Sequence, residues 1–114
     1  MQYNLGVDLA KSGKPEPAIA RFEEALRLKP DYVDAHNNLG VALAGAGRVE
    51  EAISQFETAL RIDPNSADAH VNLGIALSGI PGRKPEAVQH FEAALRIKPD
   101  PEIRQMLEHL EKLK

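Results

Sequence analysis

The sequence predicts an all-α stack of helical hairpins with seven helices. Three observations carry that expectation. The chain repeats itself: Asn4-Leu5-Gly6, Asn38-Leu39-Gly40 and Asn72-Leu73-Gly74 recur every 34 residues, Phe22, Phe56 and Phe91 recur at 34 and 35, and Pro30, Pro64 and Pro99 keep the same spacing. Alanine supplies sixteen of the 114 residues, while aromatics make up only 4% and Trp and Cys are absent. Alanine is the best helix former and occupies little volume, so close helix contacts are favoured over a core of large anchors. Within each unit, apolar residues recur at i, i+3, i+4 and i+7, the helical period.

The helices are expected near 2–12, 15–29, 32–45, 48–62, 66–79, 84–98 and 101–113. The first, third and fifth share one seam, written in the third as His36, Leu39, Gly40 and Leu43. Gly13, Gly47 and Gly82 stop these helices, because glycine accepts the left-handed conformation of a helix end. The second carries Ala18, Ile19, Phe22, Ala25 and Leu26. The fourth carries Val49, Ala52, Ile53, Phe56, Ala59 and Leu60, and the sixth Ala87, Val88, Phe91, Ala94 and Leu95. Pro15 and Pro85 suit an opening turn, where no N–H is required. Glu16, Glu50, Glu51 and Glu86 lie near the starts of these three helices, and Arg27, Lys29, Arg61, Arg96 and Lys98 near the ends, which complements the helix dipole. Pro30, Pro64 and Pro99 disfavour helix at the residue before them. The extra residue of the third unit falls in Ser78-Gly79-Ile80-Pro81, where a turn absorbs it cheaply. The seventh helix has one apolar stripe, Ile103, Met106, Leu107, Leu110 and Leu113, with Glu102, Glu108, Glu111, Lys112 and Lys114 elsewhere. It has no glycine like Gly40 and no partner helix after it, as expected of a cap on an open stack.

The second-helix pattern Ala18, Phe22, Ala25, Pro30, repeated as Ala52, Phe56, Ala59, Pro64 and as Ala87, Phe91, Ala94, Pro99, resembles the tetratricopeptide repeat, as does Leu-Gly in each first helix. The resemblance covers three units, 1–30 (lacking its opening residues), 31–64 and 65–99, followed by a capping helix at 100–114. It implies a right-handed solenoid. The chain departs from the family where a large aromatic and a Tyr are usual. Gln2, His36 and His70 stand at the first position, and Leu9, Leu43 and Leu77 at the second.

Function is expected on the face of the first helices that does not pack. At about 100° per residue, Val41 lies far around the helix from Leu43 and cannot share its seam. Asp34, Asn37, Asn38 and Val41 occupy this face, with Tyr3, Asn4 and Val7 in the first unit and Asp68, Val71, Asn72 and Ile75 in the third. The resemblance implies that this face lines a groove for extended peptides or partner helices. Asn4, Asn38 and Asn72 form a ladder of amides, each able to donate and accept. Val7, Val41, Val71 and Ile75 would receive apolar side chains, and Asp34 and Asp68 would favour a basic residue. Some family members bind chaperone C-terminal carboxylates through groove lysines and arginines. The matching positions here hold Tyr3, Val7, Asn38, Asp68 and Asn72, and only Asn38 fits, so that subtype is rejected. The ladder looks more like arrays attached to glycosyltransferases and bacterial scaffolds.

The expected function is therefore a non-catalytic scaffold with a protein or peptide partner. The alternatives are self-association into homo-oligomers through the groove or the incomplete first unit, and a substrate-recruiting appendage of a larger enzyme. No nucleophile–base pair, phosphate loop, metal-ligand spacing or cofactor motif is present. His36 and His70 are expected to be structural, and His90 to lie on the polar side of its helix. Glu23/Arg27, Glu57/Arg61 and Glu92/Arg96 read as i,i+4 pairs on solvated faces. A net charge of −3 matches nucleic acid poorly. No stretch approaches the ~18 apolar residues of a membrane span. The first residues do not read as a signal peptide, and with no Cys the cytoplasm is the favoured compartment.

Overall fold

The computed structural model of the protein describes residues 2–112. Leu113 and Lys114, expected at the end of the last helix, lie outside the described residues, as does Met1. Seven helices are present among the described residues, in the order α1 (Gln2–Lys11), α2 (Pro15–Leu28), α3 (Val33–Gly45), α4 (Val49–Ile62), α5 (Ala67–Ser78), α6 (Lys84–Ile97) and α7 (Pro101–Lys112). No strand accompanies them among those residues. Each described boundary falls within one residue of the expected one. The hairpins α1/α2, α3/α4 and α5/α6 stack into a helical solenoid of 41 × 25 × 23 Å, and α7 closes it against α6. Among the described residues, no helix is long and apolar enough to cross a membrane.

Each hairpin closes on one glycine–phenylalanine contact. Phe22 and Phe56 are at most 2% exposed and Phe91 equally so. A Cβ added at Gly6 would stand 2.7 Å from Phe22 Cε1, and one at Gly40 would stand 2.8 Å from Phe56 Cδ1 and Cζ. At Gly74 the nearest Phe91 carbons lie at 3.1 Å, a looser fit. The turns after α1, α3 and α5 hold Gly13, Gly47 and Gly82 at φ of 75°, 82° and 86°. Between hairpins, Ala35, Leu39 and Ala42 of α3, and Ala69 and Leu73 of α5, are buried.

A second contact in each hairpin is polar, and it varies. Arg21 Nη1 donates to Gln2 Oε1 at 3.1 Å in the first hairpin. His36 Nδ1 meets Gln55 Oε1 at 2.8 Å in the second. His70 Nδ1 meets His90 Nδ1 at 3.0 Å in the third. His90 is therefore half-buried against α5, not turned to the polar side as expected. The periodicity of α6 alone does not reveal that His70 reaches across to it. Two of the expected i,i+4 ion pairs are also replaced. Arg27 pairs with Glu24, and Arg61 Nη2 donates to Thr58 Oγ1 at 3.0 Å. All of these groups are solvent-exposed, and such pairings are too weak for sequence spacing to dictate.

The one-residue insertion is undone further along. Two residues separate Pro30 from the start of α3 and Pro64 from that of α5, but only one separates Pro99 from the start of α7. Asp100 caps α7, its Oδ1 accepting from the Glu102 N–H at 2.9 Å. The shorter loop restores the 34-residue register, so Ile103 and Leu107 of α7 bury where Ala69 and Leu73 of α5 do.

Candidate functional site

The helices α1, α3, α5 and α7 line one side of the stack, and the residues expected there fall on it. Val41 and Ile75 are 47% and 49% exposed, although both sit on helices whose opposite sides are buried. Leu28, Ile62 and Ile97, at the ends of α2, α4 and α6, form a second set of exposed aliphatics in register. Asn4, Asp34 and Asp68 are exposed, and Tyr3, Val7, Val71 and Asn72 are half-buried. Asn37 is 9% exposed, deeper than the others.

The amides of the expected ladder are already in use across hairpins. Asn38 Nδ2 donates to the Tyr3 hydroxyl oxygen at 2.8 Å, and Asn72 Nδ2 donates to Asn37 Oδ1 at 3.0 Å. The donors thus tie successive first helices together. The side-chain carbonyl oxygens of Asn38 and Asn72 accept no bond among the described residues. What remains at each of these two rungs is the carbonyl oxygen and the second N–H of the amide. Tyr3 packs beside Tyr32 and Phe22, with ring centroids 4.8 and 5.9 Å away. Burial raises its phenol pKa, the charges of Asp34 and Tyr32 add to this, and the bond from Asn38 partly offsets it.

Three hollows run along this side. A crevice of about 280 Å³ between α1 and α3 has Val7, Ala10 and Val41 as walls, Phe22 at its floor, and Lys11 and Asn38 at its rim. A polar hollow of about 340 Å³ at the starts of α3, α5 and α7 is bounded by Asn37, Asn38, Asn72, Asp68, Asp100 and Glu102, with Val71, Ile103 and Met106 beneath. A second apolar crevice, about 260 Å³, lies between α5 and α7, built from Ile75, Met106, Leu110 and Phe91 with Ser78 and His109 at its edge. Asn38 belongs to the first two hollows and Met106 to the last two, so they form one path.

The sequence pattern alone assigns the apolar stripe of α7 to capping, yet Met106 and Leu110 also face the path. The sequence held a signal for this: Asp34, Asp68 and Glu102 are 34 residues apart. Among the described residues, no group of three or more His, Asp or Glu could hold a metal ion.

Two family models described as tetratricopeptide repeat match residues 3–67 and 43–110. No curated protein matches the chain by sequence. Among solved structures, the first TPR of Spaghetti (RPAP3), bound to the HSP90 peptide SRMEEVD, is 20% identical with a TM-score of 0.92, covering 97% of this chain and 88% of its own. The second TPR domain of human RPAP3, in complex with the HSP70 peptide SGPTIEEVD, is 24% identical with a TM-score of 0.89, covering 97% and 92%. At these identities the likeness is one of fold. With 211 solved chains matching, the fold alone selects no partner.

Proposed function

The chain belongs to the tetratricopeptide repeat family, and from that membership we propose that it is a non-catalytic interaction scaffold whose groove binds an extended peptide. The observation that carries this reading is the exposure of Val41 and Ile75 beside the free carbonyl oxygens of Asn38 and Asn72. Aliphatic side chains supply buried area, and fixed acceptors orient a backbone or side-chain donor. Asn4, Asp34, Asn37, Asp68 and Val71 complete the surface. The two solved neighbours hold peptides ending in EEVD. Asp34, Asp68, Asp100 and Glu102 would repel such an acidic terminus, so the partner of this chain is of another kind.

A random heptapeptide library selected on the folded chain tests the reading. Binders should be enriched, and the double variant Asn38→Ala/Asn72→Ala should lose them at unchanged helicity. Binders indifferent to that variant and to Val41→Ser would place the site elsewhere.

Self-association has one observation in its favour. Leu5 is 45% exposed, whereas its counterparts Leu39 and Leu73 are 3% and 2% exposed under a preceding hairpin. Asp8 and Ser12 weigh against it, because they stand where α3 and the turn after it carry Ala42 and Ala46.

A further inference from the structure

The order of the three hollows restricts what can fill them. An apolar crevice lies at each end, and the polar hollow between them bears Asp68, Asp100 and Glu102 with no basic side chain in its lining. Acidic residues in the first turn of a helix are ordinary, since they complement its dipole. Those of α2, α4 and α6, apart from Glu50, nevertheless carry arginine partners: Glu16 and Glu51 pair with Arg48, and Glu86 pairs with Arg83. Asp34, Asp68 and Glu102 face the groove and carry no ion pair among the described residues. The carbonyl oxygens at the Asn38 and Asn72 rungs are free acceptors as well. The unpaired carboxylates and these carbonyl oxygens call for donors in the middle of the path, and the charge calls for a cation.

Geometry sets the spacing. Packed helices stand roughly 8–10 Å apart, and the α1–α3 and α5–α7 crevices are two helix steps apart, or about 16–20 Å. An extended chain advances about 3.3 Å per residue, so five or six residues span that distance. Alternate side chains of an extended chain point to opposite faces, so an even spacing is required. We propose that the groove's partner is an extended basic segment with two apolar side chains six residues apart and a lysine or arginine between them on the same face. This rests on the groove reading above and adds the partner's chemistry to it.

The probe is the end-blocked heptapeptide Leu-Ser-Lys-Ser-Lys-Ser-Leu, labelled for fluorescence anisotropy against the full chain. It should bind, and more weakly as salt rises. Asp68→Asn combined with Glu102→Gln should weaken it about tenfold, the scale of one charge-assisted hydrogen bond. Val41→Ser and Ile75→Ser should each weaken it several-fold. Three control peptides should bind at least about tenfold less tightly: one with both lysines replaced by glutamate, one with both leucines replaced by serine, and one shortened by a residue so that the leucines fall on opposite faces. If any control binds as well as the probe, the proposed pattern is wrong. The heptapeptide selection separates the two ideas. Groove-dependent binders lacking this pattern would overturn the pattern alone, and no groove-dependent binders would overturn both.

Discussion

At the residue scale, the His70–His90 pair is the feature most sensitive to its surroundings. His70 Nε2 lies 3.1 Å from the Pro64 carbonyl oxygen and donates to it. Its Nδ1 is then an acceptor, and His90 Nδ1 donates to it across 3.0 Å. Burial lowers the pKa of His90, the charge of His70 lowers it further, and Glu86 acts in the opposite sense. The folded chain thus takes up this proton less readily than the unfolded one. The contribution to stability is complete above the ordinary histidine pKa of about 6.5 and is lost as pH falls through the lower folded value. The melting temperature should fall between about pH 7.5 and 5.5. His90→Gln copies the pairing of His36 with Gln55 in the second hairpin, and it should flatten that fall. A variant with an unchanged pH slope would show that the pair contributes nothing to it.

At the element scale, the approach of the two helices in a hairpin is set by glycine against a phenylalanine ring. Alanine is the better helix former by roughly 1 kcal/mol, so Gly→Ala would stabilise an open site. Gly40 is not open: the Phe56 ring lies within 2.8 Å of the added carbon and is itself only 2% exposed, so it has little room to yield. Overpacking of this kind costs about 1–3 kcal/mol. Gly74 meets Phe91 at 3.1 Å or beyond, and a shift of a few tenths of an ångström relieves it. Chemical denaturation should therefore rank Gly40→Ala below the parent, with Gly74→Ala clearly more stable than Gly40→Ala. Equal losses would mean that the third hairpin is as tight as the second.

At the scale of the whole molecule, stability is distributed along the stack because each hairpin touches only its neighbours. The ends differ from the middle. In α1 only Gly6 is buried, whereas α3 buries Ala35, Asn37, Leu39, Gly40, Ala42 and Leu43. The other end is closed by Ile103, Leu107 and Leu110 of α7. Native-state hydrogen exchange should find α1 opening first and α3 and α4 last. Uniform protection along the chain would indicate one cooperative unit instead. Because Val7 of α1 walls the α1–α3 crevice, a peptide bound as proposed should slow exchange in α1 more than in α4.

The repeat in the sequence dictates the fold, and it marks which side of each first helix stays outside the seam. The 34-residue period, the prolines and the glycines place all seven helices to within a residue, since these are local constraints on backbone conformation. The angle between Val41 and Leu43 on one helix separates groove from seam, again a local matter. The tertiary structure alone decided which groups on that face are free. Asn38 and Asn72 read alike as open amides, yet one N–H of each is taken, by Tyr3 and Asn37, about one repeat distant in the chain. His90 reads as a surface residue until α5 brings His70 against it. Glu102 and Met106 read as parts of a cap until the shortened loop after Pro99 returns α7 to register beside α5. In each case the partner lies 20 to 35 residues away, beyond the reach of a helical period, and only packing of one hairpin on the next supplies it.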